Sequence, residues 1–599
     1  MLHVVKKLNA LLEPRDRPKV LLLAALMVLT AFMQTAGVAS IMPFLSVLSD
    51  PGAIQSNEWL NTAYTVLEFD SDRSFLYFLG IISFAVFVSG TALQALTFWA
   101  INRFSHMQQY ELSRRLMADY LRRPFSFFLT RNSGDLSKTI LNETSQVVSG
   151  AMMPAMRLLS HFLLAVAIIS LLIIVHPFLA VSVAIVLGTV YGIIYFAARA
   201  WLQRVGRERV VANRERFTAA AEAFAGAKEI RLLGREQAYL ERYRLPSKRF
   251  ARHQANAALL NQLPLFAIEA VAFGGVLLLV LVLMAGEGGL SQALPLIGLY
   301  GLAGRQLIPA FQKIFAAVAN IRFNMAAVEE VLLDLGDREG SQSFTKVIPH
   351  GERLVPSETI RVEDVCFTYP GSGEPSLQGL SLDIPARTTV GIVGSSGAGK
   401  STLVDLLLGL LRPDSGCIRI DDTKVDHSNV RRWQAAVGYV PQHIFLADQS
   451  VAANIALGLT ESEIDRDAVI KAAKLANLNE FVTQELPESY DTIIGERGVR
   501  LSGGQRQRIG IARALYRDPD VLFFDEATSA LDNATERAVM EAIHNLSGHK
   551  TIVLVAHRLT TVRPCDWIFV MQGGSLVEEG DWETLSRSSG QFKRLSAGI

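Results

Sequence analysis

The stretch Gly394-Ser395-Ser396-Gly397-Ala398-Gly399-Lys400-Ser401 has the residue types and the spacing to hold a phosphate. It reads G-x-x-x-x-G-K-S. An apolar, strand-like run, 388–393, precedes it, and a helical run from Thr402 to Leu411 follows. A phosphate-binding loop needs that strand–loop–helix setting. Gly397 and Gly399 let the backbone curl until successive N–H groups point at one anion. The helix that follows aims its positive N-terminal end at the same point. Lys400 is placed to reach the β- and γ-phosphates, Ser401 to ligate Mg²⁺, and Thr402 to close the cradle.

Other segments carry complementary chemistry. The run 521–526, V-L-F-F-D-E, is an apolar strand ending in two carboxylates. A strand that hydrophobic must be buried, so acids at its tip are not a solvated charge pair. Asp525 suits a Mg²⁺ shell, and Glu526 suits orienting or deprotonating a hydrolytic water. Gln442, in Val440-Pro441-Gln442, is placed to reach both the metal and that water. His557 follows another apolar run, 551–556, and would polarise a γ-phosphate; alone, it would read as a core histidine. Tyr369 precedes the loop and would stack on adenine; alone, it would read as packing. Leu501-Ser502-Gly503-Gly504-Gln505 opens a basic helix and makes a second anion site. Two phosphate-binding surfaces on one chain point to two chains meeting head to tail. ATP would then lie between residues 394–402 of one chain and Ser502, Gly503, Gly504 and Gln505 of the other. Ser529-Ala530-Leu531-Asp532 would cross the same interface.

The elements that position these groups follow from composition. At 599 residues the chain exceeds one ordinary core, and half of it is hydrophobic. A net charge of +1 gives no electrostatic reason to bind nucleic acid. The three cysteines, Cys366, Cys417 and Cys565, are widely spaced and read as reduced. No cleavable signal peptide is expected: the basic 1–19 segment breaks at Pro14 and Pro18 and enters a long apolar run. Residues 1–12 read as an interfacial amphipathic helix, or else a frayed terminus.

Membrane spans are expected at 20–48, kinked at Pro43, then at 75–101, 153–175, 178–198, 263–285 and 293–318. Residues 49–72 should hold a short external helix. Helix-forming sequence continues from the second span to about Arg123, roughly 68 Å in all, against a hydrocarbon core of about 30 Å. Long helices therefore project beyond the membrane. Their turns fall near Asn132–Lys138, rich in capping residues, and near Ala221–Leu232. Arginines crowd both projections, whereas the opposite loops are acidic. The positive-inside rule puts the projections and both termini in the cytoplasm. The expected domains are 1–335, transmembrane; 336–357, linker; and 358–599, an α/β nucleotide-binding domain.

Taken together, the chain resembles an ABC transporter half-subunit of the exporter class. The resemblance covers nearly all of it. It rests on residues 394–401 as Walker A, Gln442 as the Q-loop, 501–505 as the signature, 521–526 as Walker B, 529–532 as the D-loop, and His557, all in order. Gly495-Glu496-Arg497-Gly498 resembles the exporter segment that touches membrane-domain loops. The resemblance implies a membrane all-α six-helix exporter domain followed by an α/β P-loop ATPase, with ATP and Mg²⁺ as cofactors. It further implies a homodimer in the bacterial inner membrane, with the ATPase domain cytoplasmic and the two projecting turns acting as coupling helices.

The membrane half is similar to the bacterial flippases of lipid-linked oligosaccharides for N-glycosylation. The residues that carry this are 41–44, 131–143, the surroundings of Glu269, and 305–311. It implies an anionic, lipid-linked or otherwise amphipathic substrate drawn from the membrane. Intramembrane cations are costly and usually face a cavity, and guanidinium forks suit pyrophosphate. Arg305 and Arg157 are therefore the candidate substrate residues. The alternative for Arg305 is an ion pair with Glu269. A multidrug or peptide exporter would share every ATPase motif but need no Arg305. An importer does not fit the fused domains, nor a passive channel the intact Glu526.

Overall fold

The computed structural model describes the chain except residues 1, 176, 285–288, 337–351, 496–497, 527–535, 538, 542–545, 557, 588–589 and 598–599. Side chains at residues 2, 3, 133, 261, 263–265, 267–284, 289–297 and 596–597, and at many positions within 178–199 and at 260, also lie outside the description. The chain divides into two compact units, 1–123 with 131–341, and 124–130 with 342–599.

The first unit is helical. α1 (Leu2–Leu11) leads to α2 (Arg17–Ala39), α3 (Ile41–Ser49), and the short α4 (Ala53–Ser56) and α5 (Glu58–Val66). α6 (Asp72–Arg122) is 51 residues long, about 77 Å. Ser71 caps its start by accepting from Ser74 N, and it stops one residue short of Pro124. α7 (Phe125–Thr130) falls in the second unit, and the first resumes with α8 (Ser133–Lys138), a π-helical turn at Thr139–Glu143, α9 (Thr144–Val147), a second π turn at Val148–Met152, and α10 (Met153–Val175). α11 (Pro177–Ala225), α12 (Ala227–Leu232), α13 (Glu236–Met284) and α14 (Gly289–Gly336) complete the unit.

Among the described residues, 14–49, 72–122 and 134–175 are long and apolar enough to cross a membrane. Large apolar side chains on them face outward, including Leu21, Phe32, Tyr77 and Phe84. A bilayer would cover such a surface, and the helices satisfy their own backbone groups. Both projecting turns are present. Asn132 caps α8 by accepting from Gly134 N at 2.8 Å, and Gly226 separates α11 from α12.

The first span is interrupted near its outer end. It breaks between Ala39 and Ile41, in the turn where Pro43 has no N–H to offer the Ala39 carbonyl. Ser83 Oγ takes the Ser40 carbonyl at 2.7 Å, and Ser40 Oγ turns back to Gly37 O at 2.9 Å. Pro43 falls in the first turn of α3, where a missing N–H costs nothing. The external segment forms two short helices rather than one.

The second unit is α/β. An antiparallel sheet has the order β2 (Leu377–Pro385), β1 (Thr359–Phe367), β4 (Ser415–Ile420), β5 (Thr423–Lys424). The larger sheet has the order β10 (Ser575–Gly580), β9 (Trp567–Gln572), β3 (Thr389–Gly394), β8 (Thr551–Val555), β7 (Val521–Asp525), β6 (Val437–Val440). From β9 to β6 neighbouring strands are parallel, and β10 is an antiparallel edge. Every residue of β3, β7 and β8 is buried, which explains their unbroken apolar sequence. Parallel strands present all their carboxyl ends on one edge, where ligands of such sheets bind.

Candidate functional site

That edge gathers the chemistry. β3 delivers the loop 394–399, which runs into α15 (Lys400–Leu407). β7 ends at Asp525 with Glu526 next, and Gln442 comes just after β6. Gly397 has φ +77° and Gly399 φ +94°, left-handed conformations that glycine alone adopts cheaply. A Cβ on Gly399 would also strike Ser376 O and the Leu377 side chain.

A cavity of about 780 Å³ opens over this loop, lined by Ser396–Thr402, Tyr369, Gln442 and Glu526 among others. Lys400 Nζ lies folded onto the loop, donating to Gly394 O at 2.8 Å and Ser395 O at 3.0 Å. Burial draws its pKa down, while Glu526 and Asp525 oppose that. The Tyr369 hydroxyl shares a hydrogen bond with Thr402 Oγ1 at 3.1 Å, and its ring meets Phe367 edge-on. Gln442 Nε2 donates to Glu526 Oε2 at 2.6 Å. Glu526 has φ +50°, a left-handed conformation that any residue with a Cβ adopts at some cost, and its N–H donates to Val555 O at 3.0 Å. Strain of this kind is characteristic of functional positions.

Residues that the sequence reading did not single out support these. Burial, then the charge of Asp525 and a hydrogen bond to it, push the Tyr439 hydroxyl upward. Burial, then the Asp525 charge, raise the Asp405 carboxyl to about 6. Gln507 Nε2 donates to Glu526 O at 3.4 Å. Nothing local in the sequence marks Asp405 or Gln507; Tyr439 stands near Gln442 but reads as an ordinary strand residue.

Ser401, Gln442 and Asp525 are hard oxygen donors of the kind Mg²⁺ takes, with phosphate oxygens and water completing the shell. Gln442 spends its amide nitrogen on Glu526, which leaves its amide oxygen as the acceptor.

The expected second anion site, Ser502–Gln505, is a capping box. Ser502 Oγ accepts from Gln505 N at 3.2 Å, and Gln505 Oε1 accepts from Ser502 N at 2.8 Å. This opens α16 (Gly503–Leu515) and leaves Gly503 and Gly504 as first-turn N–H groups with no helical carbonyl to meet. Among the described residues, none of Ser502, Gly503, Gly504 or Gln505 lines the cavity over the phosphate loop. His557, Ser529–Asp532, Glu496 and Arg497 lie outside the described residues.

The helical unit holds two adjoining cavities of about 210 and 290 Å³. Arg157 lines the first. It donates to Asn102 Oδ1 at 3.2 Å and lies over the Phe98 ring at 5.3 Å, and its buried Nε has no hydrogen-bond partner among the described residues. Arg305 lines the second and is exposed. Lys313 and His161 line both, and Gln34 and Gln94 add amides. Lys313 and His161 went unmarked in the sequence, although His161 stands one helical turn from Arg157. The expected alternative partner of Arg305, Glu269, has its side chain outside the described residues.

Comparison with known proteins matches both units. Residues 377–529 match the ABC transporter family, and 19–295 match the ABC transporter transmembrane region. An ATP-dependent lipid A-core flippase of Saccharophagus degradans is 31% identical over 490 residues, 81% of this chain and 80% of that protein. One of Coxiella burnetii is 30% identical over 534 residues, 88% of this chain and 87% of that protein. The structure of a bacterial Atm1-family ABC exporter with ATP bound superposes with a TM-score of 0.79, covering 98% of this chain and 99% of that one, at 24% identity, which speaks to fold alone. The chain therefore belongs to the ABC transporters: it is a membrane protein of the exporter type, with transmembrane and ATP-binding domains fused, that couples ATP hydrolysis to transport.

Proposed function

We propose that two copies of this chain form a homodimeric flippase that moves an anionic, amphipathic lipid across the bacterial inner membrane. Each ATP lies between the phosphate loop of one chain and Ser502–Gln505 of the other, in the cytoplasm. Lys400 leaves its carbonyl contacts for the β- and γ-phosphates, and the loop N–H groups hold the phosphate oxygens. Tyr369 stacks on adenine. Ser401, Gln442 and Asp525 would hold Mg²⁺, whose charge would offset that developing on the transferred phosphoryl group. Glu526 takes the proton of the attacking water, steadied by Gln442, and His557 polarises the γ-phosphate. Closure and release of the dimer reorient the spans through the turns at 132–138 and 221–232.

The observation that carries the substrate class is the pair of adjoining cavities holding Arg157, Lys313 and Arg305. Cations in a membrane domain are expensive without an anionic partner. The relatives named lipid A-core flippases agree with a lipid cargo, and lipid-linked oligosaccharides share the anionic, amphipathic chemistry. The test is ATPase stimulation and flipping by the reconstituted protein with polyprenyl-pyrophosphate oligosaccharide, lipid A-core, apolar drugs and peptides. Stimulation by either anionic lipid supports the reading and says which. Stimulation by drugs or peptides alone overturns it in favour of a multidrug or peptide exporter.

A further inference from the structure

A group of fully buried charges sits beside the two π-helical turns. The side chains of Lys138, Glu143 and Arg209 are 0% exposed. Lys138 and Glu143 come from α8 and the turn after it, Arg209 comes from α11, and Asn324 and Glu330 face them from α14. Lys138 Nζ is 3.0 Å from Glu330 Oε1, 3.4 Å from Asp135 Oδ1 and 4.0 Å from Glu143 Oε1. Arg214 bridges Asp135 and Glu330, at 3.1 Å to each. Asn213 Nδ2 donates to Glu143 Oε1 at 3.0 Å.

The network is incomplete at one point. Glu143 Oε2 lies 3.6 Å from Arg209 Nη2, too far for a hydrogen bond. Among the described residues neither that oxygen nor any guanidinium nitrogen of Arg209 has a hydrogen-bond partner. Besides that 3.6 Å approach to Glu143, Arg209 lies over the Phe323 ring, 5.3 Å from its centroid. Burial draws its guanidinium below the ordinary value, with Glu143 and Glu330 opposing. A partly satisfied buried network is costlier than a complete one or none.

The backbone beside it has slack. Glu143 ends one π turn, and a second follows within the same helical run. Each π turn carries an extra residue relative to the α path. Rewinding one to α turns the residues beyond it by roughly 100°. On either side the neighbours are fixed by close contact: a Cβ on Gly150 would land on the Asn324 amide, and one on Gly206 would land on Phe323 O. The run 139–152 leads without interruption from α8, the capped projecting turn, into α10, which carries Arg157 and His161.

We propose that residues 139–152 form a two-position joint, in which rewinding of a π turn closes Glu143 onto Arg209 and turns α10 at the cavity. The joint relays motion of the 132–138 turn to the transport cavity whatever the cargo.

The test uses the full chain in lipid nanodiscs, with Cys366, Cys417 and Cys565 replaced by serine and spin labels at the exposed positions Ser149 and Tyr110. The 149–110 distance should shift by several ångström between nucleotide-free protein and protein trapped with ATP and vanadate. In Arg209→Gln and in Glu143→Gln the shift should vanish and ATPase should fall at least tenfold, with nucleotide binding unchanged. A distance that stays constant in the unmodified network overturns the joint. So does a full shift in either variant. Should Arg209→Gln fail to fold, Glu143→Gln and the parent distance still decide the matter.

Discussion

Gln442 Nε2 donates to Glu526 Oε2 across 2.6 Å, although 84 residues separate them in sequence. One residue follows β6 and the other follows β7, and parallel pairing of those strands puts their ends side by side. A carboxylate held in this way has one oxygen occupied and the other directed by the same contact. Glu526→Gln should keep ATP binding and lower hydrolysis by about 10²–10⁴-fold, the range a general base supplies. ATP titration and phosphate release measure the two parts. Unchanged turnover would remove Glu526 from catalysis.

The separation of Ser502–Gln505 from the phosphate-loop cavity makes a prediction about assembly. In a background lacking native cysteines, Ser396→Cys and Ser502→Cys should crosslink between chains when ATP is bound, and much less without it. Bands on a denaturing gel at twice the chain mass are the readout. Crosslinks within a chain, or none in any nucleotide state, would contradict the head-to-tail arrangement.

Lys313 and His161 each line both membrane cavities, which makes Arg157, Lys313 and Arg305 one basic surface. Arg305→Ala and Lys313→Ala should fold and keep basal ATPase, while flipping of an anionic lipid falls at least tenfold. If Arg305 instead serves an ion pair with Glu269, Arg305→Ala should lower thermal stability, and Glu269→Gln should partly restore it. Vesicle flipping and melting temperature separate the two outcomes.

Asp421 ties the start of β1 to the end of β4. Burial alone would raise its pKa. The N–H groups of Ser357, Thr359 and Glu358 and the Ser357 hydroxyl outweigh that and hold the carboxyl at about 2. The folded value lies below the ordinary 3.8, so the stabilisation is present above about pH 4 and is lost as pH falls towards 2. Asp421→Asn should destabilise the protein by about 1 kcal/mol at pH 7, given water screening at this site, and make no difference near pH 2. Denaturation of the full chain at the two pH values checks this.

Features written in one contiguous stretch were legible along the chain. The 394–401 loop, the buried strand 521–525 and the capping residues Ser502 and Gln505 each carry their signal within a few positions. The apolar runs likewise report a membrane environment through length and composition alone. Tertiary structure decided what depends on which surfaces meet. At the break in the first span the Ser40 carbonyl is taken by Ser83 on another helix. Tyr439 and Asp405 matter only because β6 and α15 bring them to Asp525. Lys313 joins Arg157 only where α14 passes α10, and Arg209 becomes a buried, poorly satisfied cation only because α11 packs against Glu143 and Phe323. Propensity, capping and hydrophobicity act along the chain, whereas burial and pairing of charges act across it, between residues whose separation in sequence says nothing of their distance in space.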